Sequence, residues 1–157
     1  MTSLHPVLSR SLWLGLGAAA LLVAGCANVP KSTSGVTALT GDKQVPPVTT
    51  AASGTTDISA RPSRCPATAS AGNCHTLHGM VNTSGVNSTA AHIHQGAAGQ
   101  NGPPIVTLVK TGANSWQVPQ GTTLTDAQFQ AYWDGLLYVN VHSDANPGGE
   151  IRAQLKQ

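Results

Sequence analysis

Short stretches in which hydrophobic and polar residues alternate follow one another along most of the chain. Alternation with a period of two is typical of β-strands that bury one face, and turn signals such as Asn-Gly-Pro-Pro separate the stretches. The pattern predicts strands at Val36–Leu39, Thr55–Ala60, His75–Thr83, Ala90–His94, Ile105–Val109, Ser115–Val118, Leu136–His142 and Glu150–Leu155. It also predicts one helix over Asp126–Asp134, with Thr125 as N-cap and Gly135 at its end. We therefore expect an all-β sandwich or barrel with one short helix.

The phase of the alternation places several polar residues on one side of the predicted sheet. His92 and His94 share a face of their strand, because residues two apart point the same way. His142 alternates with the apolar residues of its strand, and Arg152 does the same in the last strand. If the apolar residues face the core, all four side chains project from the outside of the sandwich.

Three histidines on coinciding faces predict a metal site. The two imidazoles of a His-x-His strand are about 6.6 Å apart at the backbone, which one ion can bridge. Nitrogen ligands without carboxylates favour copper by the order of metal affinity, so we expect one copper ion on His92, His94 and His142. The alternative is that these are ordinary polar residues facing solvent. His75 and His78 are further candidates for a fourth ligand.

Composition and charge exclude several functions. A chain of 157 residues favours one domain. Charged residues make up 9% of it and the net charge is +2, which is too weak for a nucleic-acid surface. Glu150 is the only glutamate, so a catalytic site that needs paired carboxylates is not expected.

The first 25 residues have the features of an export signal. Arg10 precedes an uncharged, mostly apolar stretch that is shorter than a membrane-spanning helix needs to be. It ends in Leu22-Val23-Ala24-Gly25-Cys26, which resembles the bacterial lipobox. The resemblance implies cleavage before Cys26, lipid on its sulfur and a tether over residues 26–34, so that the exported protein is held on a bacterial membrane, facing the periplasm or the cell surface. An uncleaved helix, or an ordinary signal peptide with an incidental cysteine, is the alternative.

Two further cysteines, Cys65 and Cys74, lie nine positions apart. Because an exported compartment is oxidising, they most simply form a disulfide. Closing such a loop stabilises a fold by roughly 2–3 kcal/mol in the chain-entropy model. The alternative, two metal thiolates, lacks a second cysteine pair to complete a site.

Four motifs in sequence order resemble the CHRD domain, the module named after chordin. They are Leu39–Val48, Ala91–His94, Asn101–Pro104 and Leu137–His142 followed by Asn146–Arg152. The resemblance extends over most of the chain after the tether and implies a CHRD domain at residues 35–157. Gln44 departs from the family, which usually has Glu before Val-Pro-Pro, and the segment with the two cysteines is an addition to the common pattern.

The order of the histidines is also similar to that of Cu/Zn superoxide dismutase, a Greek-key β-sandwich. This similarity implies a Greek-key-like antiparallel sandwich in which His92, His94 and His142 are copper ligands. It also implies that Arg152 guides the superoxide anion to the metal. No histidine lies between His94 and His142, and the zinc-binding loop is missing, so we expect copper alone and no zinc site.

Three functions follow from these expectations. The first is a copper-only superoxide dismutase, an exported lipoprotein that converts superoxide to oxygen and hydrogen peroxide. The second is a copper-binding lipoprotein that buffers or delivers the ion, which uses the same histidines without Arg152. The third is a structural or adhesive module at the cell surface, the role that CHRD repeats in chordin suggest, and it needs no metal. The sequence indicates no protein partner and no oligomeric state.

Overall fold

The computed structural model describes residues 35–63 and 74–155. Its strands are β1 (Thr37–Leu39), β2 (Ser53–Thr56), β3 (Ser59–Arg61), β4 (His75–His78), β5 (Met80–Ser84), β6 (Ser88–Gln95), β7 (Pro104–Thr107), β8 (Val109–Gly112), β9 (Ser115–Gln117), β10 (Thr123–Leu124), β11 (Leu137–Ser143) and β12 (Ile151–Gln154). A 3-10 helix at Gly41–Lys43 and one α-helix, α1 (Asp126–Trp133), complete the described elements. The predicted signal peptide, Cys26, the tether and Cys65 lie outside the described residues.

The strands form three antiparallel sheets, which confirms the expected all-β sandwich with one short helix. Their strand orders are β1-β2-β5-β9-β8, β12-β11-β6-β7 and β10-β4-β3. Apolar residues from all three sheets form one buried cluster, with Val81 and Trp116 from the first sheet, Ile93 and Val139 from the second and Leu77 from the third. No helix in the described part of the chain is long and apolar enough to span a bilayer.

Several predicted strands are interrupted where the chain turns. The predicted strand at 75–83 divides into β4 and β5 at Gly79, whose φ is +126°. A Cβ atom at this glycine would lie 2.5 Å from the Cα atom of Ile58, so only glycine fits there. The predicted strand at 55–60 likewise divides into β2 and β3. Both strand breaks follow from the close approach of Gly79 and Ile58, which are distant in sequence.

The helix begins where the sequence predicts and ends one residue earlier. Thr125 and Gln128 form a reciprocal capping box: the Thr125 hydroxyl accepts from the Gln128 amide at 3.1 Å, and the Gln128 side chain accepts from the Thr125 amide at 2.9 Å. Asp134 is the C-cap, and Gly135 follows with a φ of +68°. Local capping therefore accounts for both boundaries of α1.

The central strand β11 is buried on both faces, which differs from the expected half-exposed strand. Leu137, Val139 and Val141 face the core, as predicted, and are 0% exposed. On the opposite face, Tyr138 and Asn140 are also buried. This face points away from the core, as expected, but Tyr138 and Asn140 are covered by other parts of the chain and are not exposed to solvent.

Two irregular segments, residues 41–48 and 96–103, lie over the polar face of β11; we call them the covering segments. They bind each other, since the Asn101 amide donates to the Val45 carbonyl at 2.7 Å. The first segment also joins the sheet, because the Gln44 amide donates to the Asn140 side chain at 2.8 Å. Just before it, the backbone of Thr40 pairs with that of Arg152. The covering segments thus bury Asn140 and Arg152 on this face, while part of the face stays half-buried.

Candidate metal centre

Two neighbouring strands place the predicted ligands on one face. Strands β6 and β11 are paired so that His94 lies opposite Tyr138 and His92 lies opposite Asn140. Residues paired across antiparallel strands point to the same face, as do residues two apart along a strand. His142, two residues after Asn140, therefore also lies on this face.

The imidazoles of His92, His94 and His142 meet there, and we call them the three-histidine cluster. One ligand nitrogen from each residue lies within 4.8 Å of the other two. The shortest approach joins His92 Nδ1 to His142 Nε2, at 3.0 Å. The structure thus brings together the three residues that the sequence analysis singled out, and their role as ligands stays a prediction.

Backbone carbonyls fix the orientation of two of these rings. Nδ1 of His94 is 2.9 Å from the Gly102 oxygen, and Nδ1 of His142 is 2.9 Å from the Pro147 oxygen. Because a carbonyl oxygen can only accept, Nδ1 carries the proton in both rings and Nε2 carries the lone pair. Metal-bound histidines are commonly held by this kind of hydrogen bond from the other ring nitrogen.

The Nε2 atom of His94 is buried and has no hydrogen-bond partner among the described residues. A buried polar atom without a partner costs about 1–3 kcal/mol. His94 itself is 9% exposed, whereas His92 and His142 are half-buried. An unsatisfied lone pair beside two more imidazoles is a donor set that fits a copper ion.

Burial and mutual repulsion favour the neutral form of two of these imidazoles, His92 and His94. Burial lowers the pKa of His92, and the charge that protonation would place on His142 and His94 lowers it further. Burial also lowers the pKa of His94, and the hydrogen bond to Gly102 offsets only part of this. The neutral ring is the form that binds a metal ion.

Arg152 is buried, contrary to the exposure expected of it. It is 1% exposed, because the second covering segment folds over its guanidinium. Nη2 donates to the carbonyls of Ala97, at 3.1 Å, and Gln100, at 2.8 Å, and Nη1 donates to the Asn101 side chain at 3.3 Å. Its role as a guide for superoxide is not tested by this placement and stays a prediction, but the guanidinium is not presented to solvent.

Tyr138 lies between Arg152 and the three-histidine cluster. The His94 ring stacks on Tyr138 with centroids 4.8 Å apart and planes 7° apart, and the Arg152 Cζ atom is 3.4 Å from the centre of the same ring. Two groups this close cannot share one face of a ring, so they occupy opposite faces. The sequence analysis did not select Tyr138, although its position in the β11 alternation placed it beside Asn140 and His142.

Asn140 joins the sheet to the turn that precedes β12. Its Nδ2 atom donates to the Gly148 carbonyl at 3.3 Å, while its Oδ1 atom accepts from Gln44 at 2.8 Å. Gly149 has a φ of +124°, and a Cβ atom there would lie 2.2 Å from Asn140 Oδ1. The turn can therefore pack against Asn140 only with glycine at this position.

His75 and His78 lie on β4, in another sheet, and have partners of their own. His75 stacks on Phe129 at 3.8 Å, and its Nε2 atom is 3.0 Å from Asp126 Oδ1. His78 Nε2 is 3.0 Å from the Ser59 hydroxyl. Within the described ranges, the group of residues that could hold a metal contains neither of them.

The disulfide between Cys65 and Cys74 stays a prediction. Cys74 is 6% exposed and lies immediately before β4, at the edge of the described residues. Cys65 lies outside those residues, as does Cys26, so that neither the pairing nor the lipid attachment is tested.

Residues 36–155 match the family model of the CHRD domain. The match covers most of the chain and includes the three-histidine cluster, Arg152 and both covering segments. No curated protein and no solved structure matches the chain.

Proposed function

The chain belongs to the CHRD domain family, and we propose that this member binds one copper ion at the three-histidine cluster and dismutates superoxide there. The observation that carries the proposal is the buried His94 Nε2 atom, which has no hydrogen-bond partner among the described residues. The neighbouring nitrogens of His92 and His142 supply the remaining donors.

The hydrogen bonds of the cluster indicate which atoms would hold the ion. His94 and His142 would bind through Nε2, because Nδ1 of each ring donates to a carbonyl. His92 would bind through Nδ1, which faces His142 Nε2 at 3.0 Å. Without metal, His92 Nδ1 carries the proton that it donates to His142 Nε2. For His92 to bind an ion as a neutral ring, this proton would move to its own Nε2 atom. All three ligands are neutral nitrogens, which favours copper over harder ions.

The bound ion supplies one-electron chemistry, in which one superoxide is oxidised to oxygen and a second, with two protons, is reduced to hydrogen peroxide. The protein favours the neutral form of His92 and His94, and it fixes the rings of His94 and His142 before the metal arrives. His94 closes the buried side of the cluster, while the half-buried His92 and His142 leave a side by which a small anion can approach.

Arg152 contributes to this proposal through its charge rather than by contact with substrate. Its positive charge is close enough to lower the pKa of His94, after the larger effects of burial, the Gly102 hydrogen bond and His142. A fixed positive charge near an open site favours the approach of an anion. The predicted lipid on Cys26 would hold this activity at a membrane, facing the periplasm or the cell surface, where superoxide arises outside the cytoplasm.

The burial of Arg152 favours a second candidate, a copper protein that buffers or delivers the ion without turnover. A guanidinium whose donors bind carbonyl and amide oxygens of the covering segment has little left to offer an incoming anion. This function needs only the three-histidine cluster. It shares the metal site with the first proposal and differs in the absence of superoxide turnover.

The test compares the full chain without metal, with copper and with zinc. Copper binding is measured by competition titration with a chelator, and superoxide turnover is measured on the same samples. The variant His92→Ala removes one proposed ligand. His78→Ala is the matched control, because His78 is also a histidine on a strand but lies in a different sheet, where its Nε2 atom is 3.0 Å from the Ser59 hydroxyl.

Copper-dependent turnover that is lost in His92→Ala and kept in His78→Ala is the result expected of a dismutase. Binding of one copper ion without turnover would replace that function with copper buffering or delivery. If His92→Ala binds copper as tightly as the unchanged chain, the copper site itself is wrong and the structural or adhesive module becomes the leading function.

A further inference from the structure

A second candidate site lies at a cavity of about 560 Å³ that none of the three histidines lines. Its volume falls within the usual range for sites that bind small molecules. Its wall is largely apolar, and its lining includes Lys43, Arg152, Asp42, Gln154, Val45 and Pro47.

Arg152 has no carboxylate paired with it among residues 35–63 and 74–155. Among the residues that the structure describes, the one ion pair joins His75 to Asp126, and the guanidinium donates to neutral oxygens alone. Buried charges in proteins are normally paired, because an unpaired charge loses its hydration without compensation. Burial accordingly lowers the pKa of Arg152, although Tyr138 raises it in part. An anion in the cavity would supply the missing partner.

Lys43 brings a second positive charge to the same cavity. Its Nζ atom donates to the Ala38 carbonyl at 2.7 Å, which restrains the position of the ammonium group. An ammonium group has three donors, so two remain for a ligand. Asp42 also lines the cavity and carries a negative charge. The charges of Lys43, Arg152 and Asp42 therefore sum to +1, which disfavours a ligand with two negative charges.

We propose that this cavity binds a small organic monoanion, a carboxylate with a short apolar body. Lys43 would donate to the carboxylate, and Val45 and Pro47 would contact the apolar part. Arg152, whose donors already bind protein oxygens, would attract the carboxylate through its charge. The apolar wall distinguishes such a ligand from an inorganic anion, which would gain nothing from it. The proposal is independent of copper, since the cavity and the three-histidine cluster share no lining residue.

The test uses hexanoate as the probe and hexanamide as its uncharged counterpart, each titrated into the metal-free full chain and followed by NMR. We expect hexanoate to bind with a Kd in the millimolar range, about 1 mM, and hexanamide to bind at least about tenfold more weakly, because it lacks the charge that Lys43 and Arg152 recognise. Backbone signals of Lys43, Gln44 and Gly99 should shift with hexanoate.

Two variants place the site. Lys43→Gln should weaken hexanoate binding by about fivefold, since it removes one charge-assisted contact, and Asp42→Asn should strengthen it. Lys110→Gln is the matched control, because Lys110 also donates to a backbone carbonyl, that of Ser88 at 2.6 Å, but does not line the cavity. Lys43 is exposed, so its replacement leaves the fold intact.

The result that overturns the proposal is equal binding of hexanoate and hexanamide, or no binding of hexanoate below about 10 mM. Equal affinity in Lys43→Gln and Lys110→Gln would also overturn it. His92→Ala should bind hexanoate unchanged, which separates this site from the copper site.

Discussion

The Nδ1 atom of His94 lies 2.9 Å from the carbonyl oxygen of Gly102. This hydrogen bond joins a proposed metal ligand to the second covering segment. The same glycine also binds Tyr138, because its amide donates to the Tyr138 hydroxyl at 3.1 Å. A single residue thus fixes both the His94 ring and the aromatic ring that stacks on it.

The first prediction concerns Gly102 itself. A Cβ atom at this position would lie 1.7 Å from the Gln95 carbonyl oxygen, so Gly102→Ala must move the segment and with it the partner of His94. We expect copper affinity to fall by about 10- to 100-fold, as it does when groups that orient a metal ligand are removed. Competition titration measures this loss.

Gly148→Ala is the control for this variant, because nothing lies within 4 Å of a Cβ atom at that position. Equal copper affinity in the two variants would show that the Gly102 carbonyl does not orient His94.

The second prediction separates the hydroxyl of Tyr138 from its ring. Tyr138→Phe keeps the stack against His94 and the contact with Arg152 but loses the hydrogen bond with Gly102, and we expect it to cost about 1 kcal/mol of unfolding free energy. Tyr138→Leu also removes the aromatic ring between two stacked groups, so we expect a larger loss, about 3 kcal/mol. Urea unfolding measures both. Equal losses in the two variants would show that the ring itself contributes little.

The third prediction concerns the two roles considered for Arg152. Arg152→Gln removes donors from the carbonyls of Ala97 and Gln100, so we expect it to destabilise the fold by about 2–4 kcal/mol. Arg152→Lys keeps the charge but cannot donate to several oxygens at once, so an intermediate loss is expected. Unfolding and superoxide turnover are measured on the same samples.

A guide that acts on substrate alone would behave differently. Arg152→Gln would then lower turnover and its dependence on salt while leaving the unfolding free energy unchanged, and Arg152→Lys would restore most of the turnover.

The fourth prediction is a loss of stability in acid that depends on Glu150. Burial alone would raise the pKa of this carboxyl, but hydrogen bonds from Ser143, Thr50 and Asn146 outweigh it, so that the pKa lies below its ordinary value of 4.5. The unfolded chain therefore takes up the proton more readily than the native protein. The stabilisation is complete above pH 4.5 and is lost as the pH falls through the lowered native pKa.

Urea unfolding at neutral pH and at several acid pH values measures this effect. Glu150→Gln should reduce the slope of stability against pH in the acid range. An unchanged slope would mean that other groups account for the acid sensitivity. Thr50→Val offers a second change, because it removes the hydrogen bond of 2.7 Å from the Thr50 hydroxyl to Glu150 and keeps the carboxyl; it also removes the acceptor of the Ala52 amide at 3.0 Å.

The sequence predicts those parts of the fold that depend on local chemistry. The alternation of Leu137, Val139 and Val141 identifies the core face of β11, and the capping box at Thr125 identifies the start of α1. The shared face of His92 and His94 likewise follows from strand geometry alone.

The covering segments could not be predicted in this way, because residues 41–48 carry no periodic pattern and their contacts join distant parts of the chain. Gln44 binds Asn140, which is 96 positions away, and Arg152 binds Gln100, which is 52 positions away. Strand alternation shows which side of a sheet a residue occupies, but not whether another segment covers that side. For this reason the burial of Arg152 and the position of Tyr138 emerge only from the tertiary structure.

The contact between Gly149 and Asn140 bears on how other CHRD domains should be interpreted. A chain can keep the Asn-Pro-Gly-Gly-Glu turn solely because any larger residue would collide with the asparagine of the central strand. Retention of that turn in a relative therefore reports architecture and is not by itself evidence of a metal site. A relative with the turn intact but with its His-x-His pair replaced should form the same sheet and bind no copper. CHRD domains should therefore be grouped by whether they contain these histidines, and not by whether they contain the turn.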